Sequence, residues 1–446
     1  MRLGMDVRIR FHGVGQGLFS SGSICPLPKS GGSAFNWVYD CGTDSAQHYL
    51  DSSLSDLDHS IRTPEGQRPY LDLVTISHFD SDHISGLVKL LERFDVGDLL
   101  LPYVPLWQRL VIGFHAHRAH SSRLTRFLVN PVAFIAAVPE AKVKRILFVS
   151  GSPSIDESPP ERDGPPRRPL QLPVVNDRDA DPQDSGSIPV KVETEDLSGL
   201  SDVDDKRFDF QNMARAAGKR TDVAFITYGR GIVIAGCWEF LPYNDAQLAP
   251  MASRIFRDRV SHIRDKLLGS VKAITTRALK ELKDLYAKEF NFKGQKENQN
   301  LISLFLYGGP IGSKLGKMWV RGSEVDRPLP PRRLWCVPIS ICKGGVLYTG
   351  DGYLNTPLRF DSMKAFLGAH RVSGLSLLQV MHHGAKANWH AGLAYKIQPM
   401  FSVFSSNPDH QGYRHPHAEV TTDFASYRPL QASKGSAVNI ALLRLR

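Results

Sequence analysis

The chain is short of cysteine, of acidic residues and of long apolar runs, and each shortage narrows what it does. Five cysteines in 446 residues (Cys25, Cys41, Cys237, Cys336, Cys342) are odd in number and widely spaced. They offer no disulfide framework, so a reducing, cytoplasmic setting is expected. The longest apolar stretch, Leu99 to Phe114, is interrupted by Pro102, Pro105, Gln108 and Arg109, which argues against a membrane span. The opening Met1-Arg2-Leu3-Gly4-Met5-Asp6 lacks the apolar core of a signal peptide. Carboxylates are outnumbered, 45 against 55 Lys and Arg, leaving a net charge of +10 and a pI near 9.3. That balance favours polyanionic partners, nucleic acid first among them. No repeat of solenoid period is present.

The remaining composition, 42% hydrophobic and 22% charged, is that of a globular chain able to bury one large core or two moderate ones. Alternation from Val7 through Ile9 to Phe11 predicts a half-buried strand, ending in the turn Gly13-Val14-Gly15-Gln16-Gly17. Gln16 fits a turn role or a substrate contact equally. A second strand, Phe35 to Tyr39, runs into Asp40-Cys41-Gly42. A third, Leu71 to Ser77, is followed by helical spacing over Ile84 to Phe94. Residues 1–150 therefore read as the first half of a sandwich. From 151 to 207 proline, aspartate, serine and arginine dominate, the composition of a flexible insertion or linker. Residues 208–297 read as a basic elaboration. It has a short helix from Phe208, strands at Val223–Tyr228 and Gly231–Ala235, and amphipathic helices with a basic face over 252–289. The second half, 298–446, carries strands at Ile302–Tyr307, Leu375–Met381 and Phe401–Phe404. A hairpin is expected between Trp335–Ile341 and Gly345–Thr349.

Chemistry concentrates in His78-Phe79-Asp80-Ser81-Asp82-His83, directly after the third strand. Two imidazoles and two carboxylates on one turn are costly to bury unless a divalent cation, or two, compensates them. Three further groups follow predicted strands or lie in a late polar run: Gly350-Asp351, His382-His383-Gly384 and His415-Pro416-His417.

The first of these motifs resembles the His-x-[His/Asp]-x-Asp-His signature of the metallo-β-lactamase superfamily. The ordered set is similar to one branch, the soluble hydrolase domain of the ComEC-type competence proteins. The residues that carry the likeness are Val14 to Gly17, Asp40-Cys41-Gly42, His78 to His83, Asn300-Leu301-Ile302-Ser303, Thr349-Gly350-Asp351, His382-His383-Gly384 and Tyr413-Arg414-His415-Pro416-His417. The resemblance implies an α/β fold, an αββα metallo-β-lactamase sandwich with a large family-specific insertion. It implies a metal-dependent phosphodiesterase, most simply a nuclease cleaving DNA rather than RNA with two divalent ions. Zinc or manganese is favoured, with magnesium a third candidate. Stand-alone relatives in bacterial defence loci imply a role in defence or DNA processing beside a protein partner from the same locus.

On that resemblance His78 and Asp80 hold one ion, and Asp82 and His83 the other. Asp351 bridges and His382 completes the second site. His383 is the alternative to His382, since neighbouring side chains on an extended backbone point opposite ways. Asp40 is expected beside a ligand rather than on the metal. The superfamily's middle histidine has no counterpart; Asn300 lies nearest its place, and His115, His117 and His120 fall in a basic stretch. Asp82 would orient the attacking water, and His415 and His417 would contact the phosphate or protonate the leaving oxygen. Two other readings use the same residues: a hydrolase of small phosphoesters such as cyclic nucleotides, and a regulatory subunit of weak activity. β-Lactam hydrolysis fits less well, because Asp80 stands where those branches keep histidine.

Overall fold

The computed structural model describes residues 4–27, 34–106, 127–151, 190–197, 205–234, 238–245, 303–311, 318–325, 334–339 and 344–444, with a few isolated positions between them. Eighteen strands run in chain order through these residues. They are β1 (Gly4–Phe11), β2 (Phe19–Leu27), β3 (Phe35–Cys41), β4 (Tyr70–Thr75), β5 (Asp95–Pro102), β6 (Lys142–Val149), β7 (Val190–Val192), β8 (Asp222–Ile226) and β9 (Ile232–Ile234). The second nine are β10 (Trp238–Asn244), β11 (Leu304–Pro310), β12 (Met318–Val325), β13 (Leu334–Ile339), β14 (Gly345–Tyr348), β15 (Leu375–Gln379), β16 (Phe401–Ser405), β17 (Pro429–Ala432) and β18 (Ala437–Arg444). They form a ten-stranded sheet, β13-β12-β18-β1-β2-β3-β4-β5-β6-β8, and an eight-stranded sheet, β17-β16-β15-β14-β11-β10-β9-β7. Both are mixed. The run β3-β4-β5-β6-β8 is parallel in the first, and β14-β15-β16-β17 is parallel in the second.

The sheets face each other across one apolar cluster. Val7, Ile9 and Phe11 of β1 point into it as their alternation predicts, meeting Trp238 and Phe240 of β10 and Leu377 of β15. Helices cover the outer faces. On the first sheet lie α1 (Gln47–Ser60), α2 (Ser81–Ile84), α3 (Leu87–Arg93), α4 (Pro131–Ala136) and α5 (Asp205–Ala217). Leu50, Leu54 and Leu57 of α1 share one helical stripe and bury it against Val38 and Val74. The second sheet carries α6 (Pro357–Leu367), α7 (Ala369–Ser373), α8 (Leu393–Ile397) and α9 (Ala418–Asp423). Phe360, Met363 and Leu367 of α6 pack there on Tyr243, Phe305 and Leu378. Thr356 caps α6, its hydroxyl accepting from the Arg359 amide at 3.3 Å, and Pro357 opens the first turn. The molecule is an α/β sandwich with helices on both outer faces.

Two sequence expectations change. The predicted hairpin does not form: β13 is the edge of the first sheet, paired to β12, whereas β14 lies in the second sheet between β11 and β15. A short polar break between apolar runs reads alike for a hairpin and for a chain changing sheets. The single helix expected over Ile84 to Phe94 is divided at Ser85-Gly86. There the Gly86 amide donates to Cys41 O at 2.8 Å and the Thr43 amide donates to Ser85 Oγ at 2.9 Å, tying the turn to the end of β3. The helix at 208 and the strands at 223 and 231 are present, as α5, β8 and β9, and they extend both sheets. The insertion at 151–207 and the basic helices of 252–289 lie largely outside the described residues, as do Asn300, His115, His117 and His120. Among the described residues no helix is long and apolar enough to cross a membrane.

Candidate metal centre

The carboxyl ends of the parallel strands in both sheets open on one edge, where α/β sheets gather their ligands. β3 delivers Asp40, and the turn after β4 delivers His78 to His83. Asp351 follows β14, His382 and His383 follow β15, and Ser405 ends β16. Backbone pairing joins the two edges, the Leu304 amide donating to Ser77 O at 2.8 Å, and within the second sheet the His382 amide donates to Gly350 O at 2.9 Å. The Leu18 amide donates to Asp82 O at 3.0 Å, so the early glycine turn supports the metal turn. Gln16 belongs to this support. It is buried, and its Oε1 accepts from the Asn407 amide at 3.4 Å.

Two glycines permit the approach. A Cβ on Gly42 would stand 2.4 Å from the His83 amide nitrogen, so only glycine lets β3 run under α2. Gly350 has φ +50, and a Cβ there would meet Ser303 Oγ at 2.5 Å and Ser77 Cβ at 2.7 Å. It aims Asp351 inward. The Asp351 amide donates to Ser303 Oγ at 3.1 Å. Gln379 clamps the same turn, its Oε1 accepting from the Thr349 and Gly350 amides at 2.8 and 2.7 Å.

Asp82, His83, Asp351 and His383 place one donor atom each within 4.8 Å of the others, and such a set could hold a metal ion. His383 Nε2 stands 3.0 Å from Asp82 Oδ2 and 3.6 Å from Asp351 Oδ1; His83 Nε2 is 3.0 Å from Asp351 Oδ1. Beside this set, His78 Nε2 lies 3.9 Å from Asp80 Oδ2 and 3.7 Å from Asp351 Oδ2, and His382 Nε2 lies 3.3 Å from Asp351 Oδ2. His383, not His382, therefore keeps company with Asp82 and His83. The alternation rule fails because neither residue is extended: His382 has φ 46 and ψ 52, His383 φ 56 and ψ 15. Two successive left-handed residues bring both rings onto the same side, a conformation that non-glycine residues hold only when the surroundings enforce it.

All four rings engage an acceptor through Nδ1. Asp40 Oδ2 accepts from His83 Nδ1 at 2.7 Å and Ser405 O from His383 Nδ1 at 2.5 Å. Asn388 donates through Nδ2 to Asp351 O at 2.7 Å, so its Oδ1 is the acceptor for His382 Nδ1, also at 2.7 Å. Ser77 Oγ donates to Asp40 Oδ2 at 2.6 Å, which leaves it to accept from His78 Nδ1 at 2.9 Å. Each ring thus turns Nε2 inward, the orientation of metal-bound histidines, and His383 Nε2 shares a hydrogen bond with Asp82 Oδ2 at 3.0 Å. His78 Nε2 and His83 Nε2 are buried without a hydrogen-bond partner. Asp40 stands outside this ring of donors. Its two oxygens accept from the Ser77 amide, the Ser77 hydroxyl and His83.

Charge is concentrated accordingly. Loss of solvent, together with repulsion from Asp82 and Asp351, pushes Asp80 up to about 8. Burial would raise Asp351, but His382, His83 and His383 hold it well below the usual carboxylate range. Burial would lower His83, yet Asp351, Asp82 and Asp40 outweigh it and keep it well above an ordinary histidine. The His415 ring is 5.6 Å from that of His382 and 6.2 Å from that of His383, on the wall of the site. Burial and those two rings depress it to about 3, so it is neutral. His417 sits one ring further out, 5.1 Å from His415, and its Nδ1 accepts from the Lys386 amide at 3.3 Å.

Sequence reasoning missed Gln379 and Asn388. Gln379 had a signal, the lone amide in the apolar run Leu375 to Met381; Asn388 had only its place after His-His-Gly. No protein-family model matches this chain, and no curated protein matches it.

Proposed function

We propose that this protein is a metal-dependent phosphodiesterase with the metallo-β-lactamase fold, acting on nucleic acid and on DNA ahead of RNA. The observation that carries the reading is the set of four histidines with Nε2 turned inward around Asp82 and Asp351. A purely structural cluster would not leave the buried His78 Nε2 without a hydrogen-bond partner, and a regulatory relic would have no reason to keep second partners on every ring. The donor set suits a divalent ion, and three carboxylates beside the imidazoles shift preference from zinc toward manganese or magnesium. Bound there, such an ion supplies an activated water and charge stabilisation for a phosphoryl group.

The chain's own residues do the rest. Asp82, with His383 beside it at 3.0 Å, is placed to orient a nucleophilic water. Asp40 and Ser77 fix the tautomers of His83 and His78. His415 is neutral and donates a ring N–H to a phosphate oxygen. His417, whose Nδ1 is an acceptor, carries its proton on Nε2 and is the candidate donor to the leaving oxygen. The net charge of +10 suits a polyanion.

Purified protein incubated with circular and linear duplex DNA, single-stranded DNA and RNA, each with manganese, magnesium or zinc, tests the reading. Metal-dependent cleavage that disappears in Asp82→Ala and His83→Ala is the expected result. Hydrolysis of bis(p-nitrophenyl) phosphate without any nucleic-acid cleavage would replace it with the small-phosphoester reading.

A further inference from the structure

We infer that the consecutive histidines His382 and His383 are divided between two cation sites, His382 supplying the donor for which the sequence pattern has no middle histidine. The inference rests on the metal-dependent reading above and extends it to a particular ligand set. Asp351 is the divider. Its Oδ1 faces His83 at 3.0 Å and His383 at 3.6 Å, while its Oδ2 faces His382 at 3.3 Å and His78 at 3.7 Å. Asp82 Oδ2 adds to the first group and Asp80 Oδ2, 3.9 Å from His78, to the second. Each group is then two imidazoles, one carboxylate of its own and one oxygen of Asp351. The buried His78 Nε2, with no hydrogen-bond partner, points to an occupant of the second group independently of the carboxylates.

The chain is built to hold this division. A single left-handed residue would present one ring; two in succession present both. Each ring is then pinned from a different element, His382 by Asn388 and His383 by the carbonyl of Ser405 at the end of β16. Asn388 also holds the backbone of Asp351, so the ligand and the divider are set by one side chain.

The two sites differ in access. His83, His383 and Asp351 are at most 2% exposed and Asp82 15%, whereas His382 and Asp80 are 25% and 27% exposed. The buried site should therefore fill first and hold tightly. The open site should exchange readily and face incoming phosphate. The two donor sets are alike in type, so the difference lies in exchange, with rapid manganese exchange expected at the open site.

Manganese titration of the metal-free full chain, followed by calorimetry and electron paramagnetic resonance without substrate, tests the division. The wild type should bind two ions in a tight and a weak class, with an exchange-coupled manganese signal at saturation. His382→Gly tolerates the left-handed backbone and removes only the ring. It should weaken the second class by at least ~10-fold, leave the tight class intact and replace the coupled signal with that of isolated manganese. His383→Gly should abolish the tight class. Asn388→Leu, which frees His382 and the Asp351 backbone without deleting a donor, should weaken the second class more than the tight one. Two intact classes in His382→Gly, or loss of both together, would overturn the division. A wild type that binds no metal would overturn the functional reading itself, whereas two ions bound without nucleic-acid cleavage would leave the division standing.

Discussion

The protonation of single residues at the centre has a measurable consequence. Asp80 sits at about 8, pushed there by loss of solvent and by Asp82 and Asp351. His83 and His383 are held above an ordinary histidine, because Asp351 and Asp82 outweigh the effect of burial. Metal ligation needs all three deprotonated, so binding releases protons. Manganese affinity should rise with pH from about 6 to about 8, and calorimetry in buffers of different ionisation heat should count the released protons. A flat affinity across that window would contradict these assignments. In metal-free protein the same three groups hold protons more tightly folded than unfolded. Their stabilisation is complete at low pH and is lost as pH rises through the raised values, so the metal-free Tm should fall as pH rises above about 7. His78 and His415, depressed to about 3, act in the opposite sense up to the ordinary histidine value of about 6.5, below that window. Asp40 gives a second expectation. Asp40→Ala should cost ~10–100-fold in metal affinity, through loss of the His83 and Ser77 tautomer control rather than of a ligand. Unchanged affinity by calorimetry would remove Asp40 from the site. The candidate donors were legible in the sequence because they fall in short polar groups directly after apolar runs. The places of His382 and His383 were not, since alternation presumes an extended backbone that both residues abandon.

At the scale of elements, the site depends on how closely β3, β4 and β14 approach. Hydrophobic period revealed most strands, since a two-residue alternation such as Val7-Ile9-Phe11 allows one buried face. It could not reveal which sheet a strand joins, as β13 and β14 demonstrate, because sheet membership is settled by packing far away in sequence. Nor could it reveal that α2 and α3 are separate, a break imposed by Cys41 and Thr43 on Ser85-Gly86. Gly42 tests the approach. Its absent Cβ is the space occupied by the His83 backbone, and Gly42→Ala must push α2 from β3 by a few tenths of an ångström or more. Asp82 and His83 ride on that helix. Gly42→Ala should lose metal affinity at least ~10-fold and cost ~1–3 kcal/mol in stability. Gly66→Ala is a control: its Cβ meets nothing within 4 Å, though its φ of +78 adds a local strain. Equal metal affinity in the two variants, read by calorimetry beside denaturant titration, would show that the β3–α2 approach does not set the ligands.

At the scale of the molecule, the donors come from both ends of the chain. His78 to His83 hang from the ten-stranded sheet, whereas Asp351, His382 and His383 hang from the eight-stranded one. A cation shared among them closes the sandwich at its open edge and binds only when the two sheets are assembled. Binding to the folded state alone raises stability by mass action, ~4 kcal/mol when free metal is ~1,000-fold above its Kd. The apolar clusters that hold the layers together do not include the ligands, so the fold does not depend on the ion. Chelation should therefore lower Tm by several degrees while leaving far-ultraviolet circular dichroism at 25 °C unchanged. Asp351→Ala, which deletes the divider, should unfold at one temperature with or without metal. Loss of secondary structure on chelation at 25 °C would mean that the cation, rather than the apolar interface of Trp238, Phe240 and β1, holds the two sheets face to face.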